Sequence, residues 1–122
     1  MENEINDNKI TEEDFEMAKY ILTILLSNRT VVMSWGTHNA KTIKNGIRFQ
    51  VNGFKHEGYV EITYNLGKDL FDIKLIGLEN EVKKELNSIY FDDLHNTVDY
   101  AVERVDNYDK AVKDFYKDNM ID

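Results

Sequence analysis

Few residues in this chain could do chemistry. The histidines are His38, His56 and His95, and there is no cysteine to act as nucleophile or thiolate ligand. On a helix, Asp92, His95 and Asp99 would stand at i−3, i and i+4 and could offer oxygen, nitrogen and oxygen to a divalent cation. A solvated acidic helix face with one histidine in it is the plainer account, because no second histidine lies at ligand spacing and no HExxH pattern occurs. No metal site and no cofactor are therefore assigned. His38 and His56 fall in segments expected to be loops beside a sheet. Acid–base or nucleophilic catalysis would need a carboxylate or hydroxyl next to them. Ser34, Thr37, Glu57 and Asp69 supply the types, but nothing in their spacing makes them converge. There is no nucleophile elbow, phosphate-binding loop or dinucleotide fingerprint. No catalytic residue is assigned, and the chain is not read as an enzyme.

Binding has better candidates. Ser34-Trp35-Gly36-Thr37-His38-Asn39 combines the only tryptophan, a glycine that lets backbone approach closely, and several hydrogen-bonding side chains. Tryptophan anchors are enriched where proteins bind one another. Trp35 also continues the Val31, Met33 phase and so doubles as a core plug. Tyr59 falls in the polar phase of its strand, with Arg48, Lys55, Lys41 and Lys44 nearby in sequence. Aromatic and basic residues on one sheet face can form a single-strand nucleic-acid platform. Here Glu57 and Glu61 dilute that face and no RNA-recognition motif is present, so nucleic acid is not the expected partner. The candidate contact residues are Ser34, Trp35, Thr37, His38, Asn39 and Tyr59.

The elements that must position these residues follow from periodicity. Thr11 reads as an N-cap, with Glu12, Glu13 and Asp14 in the first turn where the helix dipole favours negative charge. Phe15, Ala18, Ile21, Leu22 and Leu25 then mark an amphipathic helix from about Thr11 to Ser27. Alternation at Val31, Met33 and Trp35 predicts a strand, and the polar run Thr37 to Lys44 a loop. Asn45-Gly46 is a turn signal. Ile47, Phe49 and Val51 form the clearest strand. Val60, Ile62 and Tyr64 form the next, and Phe71, Ile73 and Leu75 another, with turns at residues 53–58, 66–69 and 77–80. Val82 to Leu86 reads as a short last strand, with Glu81 to Leu86 open to a helical reading.

A second helix begins near Phe91 and Asp92 and presents Leu94, Val98, Ala101, Val102 and Val105. It is interrupted at Asp106-Asn107, and a third helical set carries Tyr108, Ala111, Val112 and Phe115. Short strands joined by short turns predict an antiparallel meander of four or five strands. Each has one apolar face, which helices at both ends of the sequence must cover. The expected class is α+β, with an N-terminal helix and one or two C-terminal helices packed on one face of the sheet.

The 122 residues suit one domain, read as a frayed acidic start over residues 1–10 followed by a single α+β domain over 11–122. The formal charge of −8 is unevenly spread. Residues 1–16 carry seven acids and one lysine, net −6, and residues 91–122 carry nine acids and four bases, net −5. Residues 30–69 are net +2. The acidity thus belongs to the helical ends, which could dock on a basic protein surface or simply keep the domain soluble. No apolar run approaches the roughly 18–20 residues of a membrane span, and the acidic start is unlike a signal peptide. The cytoplasm is the expected compartment. Unpaired edge strands leave a homodimer open.

At Met33-Ser34-Trp35-Gly36, Gly46 to Phe54, Gly58 to Asn65 and Tyr90 to Asp92, the chain resembles small proteins carried on bacterial mobile elements. The likeness covers roughly residues 30–106. It implies a bacterial, intracellular origin and transfers no catalytic residue. The expected function is a small acidic, non-catalytic domain that acts by binding a protein partner. The alternatives are an acidic nucleic-acid mimic that inhibits a host protein, or an enzyme or metal protein using His38, His56 or His95.

Overall fold

The computed structural model describes residues 9–103. The expected frayed start up to residue 8, the break at Asp106-Asn107 and the third helical set, Tyr108 to Phe115, lie outside the described residues.

Helix α1 spans Glu12–Leu25 and begins as its sequence dictates. The Thr11 side chain accepts from the Asp14 backbone N–H at 3.1 Å, while the Asp14 carboxylate accepts from the Thr11 N–H at 2.9 Å, a reciprocal capping box. The second Asp14 oxygen accepts from the backbone N–H of Asn45 at 2.9 Å. One carboxylate thereby joins the helix start to a distant turn. Two backbone hydrogen bonds stabilise its charged form. That of Thr11 has the largest effect, followed by that of Asn45, and together they hold the Asp14 pKa below its ordinary value. Ala18, Ile21 and Leu25 point into the core at i, i+3 and i+7.

Two expectations for the next segment are overturned. Val31–Trp35 was expected to be a strand, but helix α2 covers Arg29–Ser34 after a 3-10 turn at Leu26–Asn28. The Asn28 side chain caps it, accepting from the Val31 N–H at 3.3 Å. The buried pair is Val32 and Trp35, at helical i, i+3 spacing, while Met33 is 72% exposed. The alternation at Val31, Met33 and Trp35 was therefore accidental. The polar run expected as a loop contains strand β1, His38–Ile43. It is an edge strand, paired on one side only with a bulge after His38, and both of its faces are exposed over most of its length, so it shows no apolar alternation.

Strands β2 (Gly46–Asn52), β3 (Glu57–Asn65), β4 (Leu70–Ile76) and β5 (Val82–Ile89) follow as a meander, antiparallel throughout, in the order β1-β2-β3-β4-β5. The segment left open between strand and helix is the strand β5, longer than expected. A 3-10 turn at Phe91–Asp93 leads into helix α3, Leu94–Val102. The protein is α+β, with its N-terminal and C-terminal helices packed on one face of the sheet.

The core lies between that face and the helices. Ile47, Phe49, Val51, Val60, Ile62, Phe71, Ile73 and Leu75 meet Ile21, Leu25, Val32, Trp35, Leu94, Val98 and Val102. Burying each of the larger side chains contributes about 1.5–3 kcal/mol. Gly53 sits where α3 ends, and a Cβ there would lie 2.4 Å from the Val102 carbonyl oxygen. The absent side chain lets the β2–β3 loop dock on the helix end. Lys55 N–H donates to the Val102 carbonyl at 2.9 Å and Phe54 N–H to the Glu103 carboxylate at 3.0 Å.

The opposite face of the sheet is polar. Register aligns Lys41, Arg48, Glu61, Lys74 and Glu85 across all five strands, a row with alternating charge from Arg48 onward. Among the described residues, no helix is long and apolar enough to cross a membrane.

Candidate binding site

Within Ser34–Asn39, Trp35 is buried and Thr37 half-buried, while Ser34, Gly36, His38 and Asn39 are exposed. Trp35 is 0% exposed, and its indole N–H donates to the Asp99 carboxylate at 2.9 Å, fixing α2 to α3. Its ring is not free to anchor a partner. Ser34 is exposed, but its hydroxyl donates to the Val31 carbonyl at 2.5 Å. Thr37 donates to the Val32 carbonyl at 3.1 Å. Nδ1 of His38 lies 2.7 Å from the Gly36 carbonyl. Asn39, at a φ of 54°, donates from its side chain to Gln50 at 3.0 Å. The polar groups of this stretch hold the corner between α2 and β1. Tyr59 is half-buried under Arg48, whose guanidinium lies 4.2 Å from the ring centroid. Arg48 also donates to Glu61 at 2.8 Å and to Asn80 at 2.8 Å. Tyr59 is two strands from His38, in the same register row and roughly 10 Å away.

The histidines occupy three different settings. His38 is exposed on the β1 edge. His56 is buried, with Nε2 3.1 Å from the Tyr59 carbonyl. His95 is half-buried with its ring 5.6 Å from Trp35, and its buried Nε2 has no hydrogen-bond partner. Asp92 lies in the 3-10 turn ahead of α3, so the helical spacing assumed for Asp92, His95 and Asp99 does not hold. Asp99 is bonded to Trp35. Among the described residues, no three His, Asp or Glu side chains form a group that could hold a metal ion.

The structure instead brings together aromatic residues of the strands' apolar phase with others that belong to no apolar stripe. A groove of about 640 Å³ opens between α1, the β3–β4 turn and the exit from β5. Tyr20, Tyr64, Phe71, Tyr90 and Phe91 line it, with Met17 and Leu70 between them. Tyr20 and Phe71 have ring centroids 6.4 Å apart, and Tyr64 and Phe71 5.4 Å apart. Phe71 is buried and forms the floor. Tyr20 is 48% exposed, Tyr90 62% and Phe91 58%. The Tyr64 hydroxyl donates to the Asp69 carboxylate. That hydrogen bond, aided by desolvation and the nearby negative charge, raises the Tyr64 pKa above the ordinary tyrosine value. Met17 and Tyr20 also line an adjoining hollow of about 420 Å³ against Glu12, Glu13 and Glu16. The groove therefore has an aromatic floor and an acidic flank.

A signal for this site was present. Tyr20 stands off the apolar stripe of α1, and Tyr90-Phe91 falls at a junction where neither strand nor helix phase accounts for two aromatic rings. A second hollow, about 450 Å³, lies between β5 and α3, with Lys55, Lys84, Tyr100 and Asp93 in its lining.

Comparison with family models, with curated proteins and with solved structures finds no match for this chain.

Proposed function

We infer that this chain is a non-catalytic protein-binding domain of the cytoplasm, and that the aromatic groove is its contact surface. The observation carrying the reading is the exposure of Tyr20, Tyr90 and Phe91 side by side over the Phe71 floor. Exposed contiguous aromatic surface is costly to keep in water, and it is enriched where partners dock. In this reading the groove takes the role expected of Ser34–Asn39, where the tryptophan is buried and the polar side chains bond locally. The resemblance to small proteins of bacterial mobile elements fits this reading, since a short domain without its own chemistry acts through what it binds.

The test compares the intact chain with a Tyr90→Ser/Phe91→Ser variant in pull-downs from bacterial lysate at several salt concentrations. A protein retained by the first and lost by the second, with both folded by circular dichroism, supports the reading. Retention by both equally, or by neither at any salt, refutes it.

A further inference from the structure

We propose that the occupant of the groove is a basic peptide segment that places an Arg or Lys side chain over the Tyr20, Tyr90 and Phe91 rings. This rests on the reading of the groove as a contact surface and adds the chemistry of the partner.

Two observations carry it. The first is how this chain treats three of its other solvent-facing aromatic rings. Lys19 lies 5.5 Å from the Phe15 centroid, Arg48 4.2 Å from that of Tyr59, and Lys55 3.9 Å from that of Tyr100. Among the described residues, no cation of this chain lies over Tyr20, Tyr90 or Phe91, so their negative π faces are open to an external one. The second is the charge at the border. Glu12, Glu13, Glu16 and Asp69 adjoin the groove, against Lys68 in its lining and Lys19, which stands 3.8 Å from Glu16. The surplus is negative, which attracts a cation and repels an acidic segment. The apolar parts of the lining, Met17 and Leu70, suit the methylene stem of a long basic side chain.

The experiment titrates the full, isotopically labelled chain and follows backbone amide shifts. The probes are a short synthetic peptide of alternating Arg and Leu, its neutral counterpart with citrulline for Arg, and an acidic counterpart with Glu. The Arg peptide is expected to shift amides of residues 17–20, 64–71 and 90–91. It should bind more weakly as salt rises and lose about two- to fivefold in affinity for each of Tyr90→Leu and Phe91→Leu, which keep apolar area but remove the ring. Glu12→Gln/Glu13→Gln should weaken it as well and steepen nothing in the neutral series. Equal binding of the citrulline peptide at the same amides overturns the cationic assignment and leaves the protein-binding reading standing. Shifts confined to other acidic surfaces, or none with any peptide, also overturn the proposal. In that case the lysate comparison above decides independently whether the groove binds a protein at all.

Discussion

Replacing Trp35 with Phe removes an indole that is 0% exposed and donates to Asp99 at 2.9 Å. Two losses follow. A hydrogen bond to a charged acceptor contributes about 1.5–3 kcal/mol. The smaller ring also leaves unfilled volume between α2 and α3, where close packing cannot fully relax. Part of the first loss is recovered because Asp99 is only half-buried and its freed oxygen can be hydrated. The net destabilisation expected of Trp35→Phe is about 2–3 kcal/mol, below the ~3–5 kcal/mol typical of a buried Trp→Ala change. Asp99→Asn keeps an acceptor but loses the charge assistance, and should cost about 1 kcal/mol. Urea unfolding followed by far-ultraviolet circular dichroism measures both, with the double variant completing a cycle. If the bond joins the helices as argued, the two effects overlap and the coupling is about 1 kcal/mol. Additivity within about 0.3 kcal/mol would refute the account. Trp35→Phe should also leave partner capture intact wherever the variant is folded, because its ring faces no solvent.

Acid provides a test of Asp14. Its folded pKa is lowered, so its contribution is fully present above the unfolded value of about 3.9 and is lost as pH falls through the lower folded value. Urea midpoints measured from neutral pH downward should show a gentler acid decline in Asp14→Asn, together with a lower midpoint at neutral pH; parallel curves would contradict the link between α1 and Asn45. Tyr64 titrates in the opposite sense, since its folded pKa is raised and its contribution is present below about 10 and lost as pH rises through the folded value. Asp69→Asn should bring the Tyr64 transition, isolated by difference against Tyr64→Phe in tyrosinate absorbance, back toward the ordinary value. Gly53→Ala should lower the urea midpoint far more than Gly67→Ala, because the added carbon meets the Val102 carbonyl oxygen at 2.4 Å in one and only the Asn65 side chain at 3.5 Å in the other.

The meander was legible because each of β2, β3 and β4 has one wet and one dry face, so period-two alternation survives in Ile47-Phe49-Val51, Val60-Ile62-Tyr64 and Phe71-Ile73-Leu75. The start of α1 was legible because its cap is local. The errors fell where burial follows tertiary context. Val31, Met33 and Trp35 alternate by type, yet a cap at Asn28 and the burial of Val32 set a helix. β1 has no alternation because both of its faces are exposed over most of its length. The groove was hidden for a different reason. Tyr20, Tyr64, Phe71 and Tyr90 come from α1, β3, β4 and the exit from β5, and no spacing along the chain encodes their meeting. Tyr64 and Phe71 share the dry phase of their strands, which marks them as core without revealing that the cover stops short of them.

Each strand in the sheet pairs with its neighbour in sequence. Contacts of short sequence separation need little loop closure, so the hairpins can form one after another and quickly. The Trp35–Asp99 bond is of another kind, joining residues 64 positions apart. Closing so long a loop is unfavourable until the sheet between its ends is in place, which puts the docking of α3 on α2 late in folding. Interactions absent from the transition state govern escape from the native state rather than entry into it. Asp99→Asn should therefore speed unfolding while leaving the folding rate nearly unchanged. The helix that completes the core is, in kinetic terms, the latch that determines how long the domain stays closed.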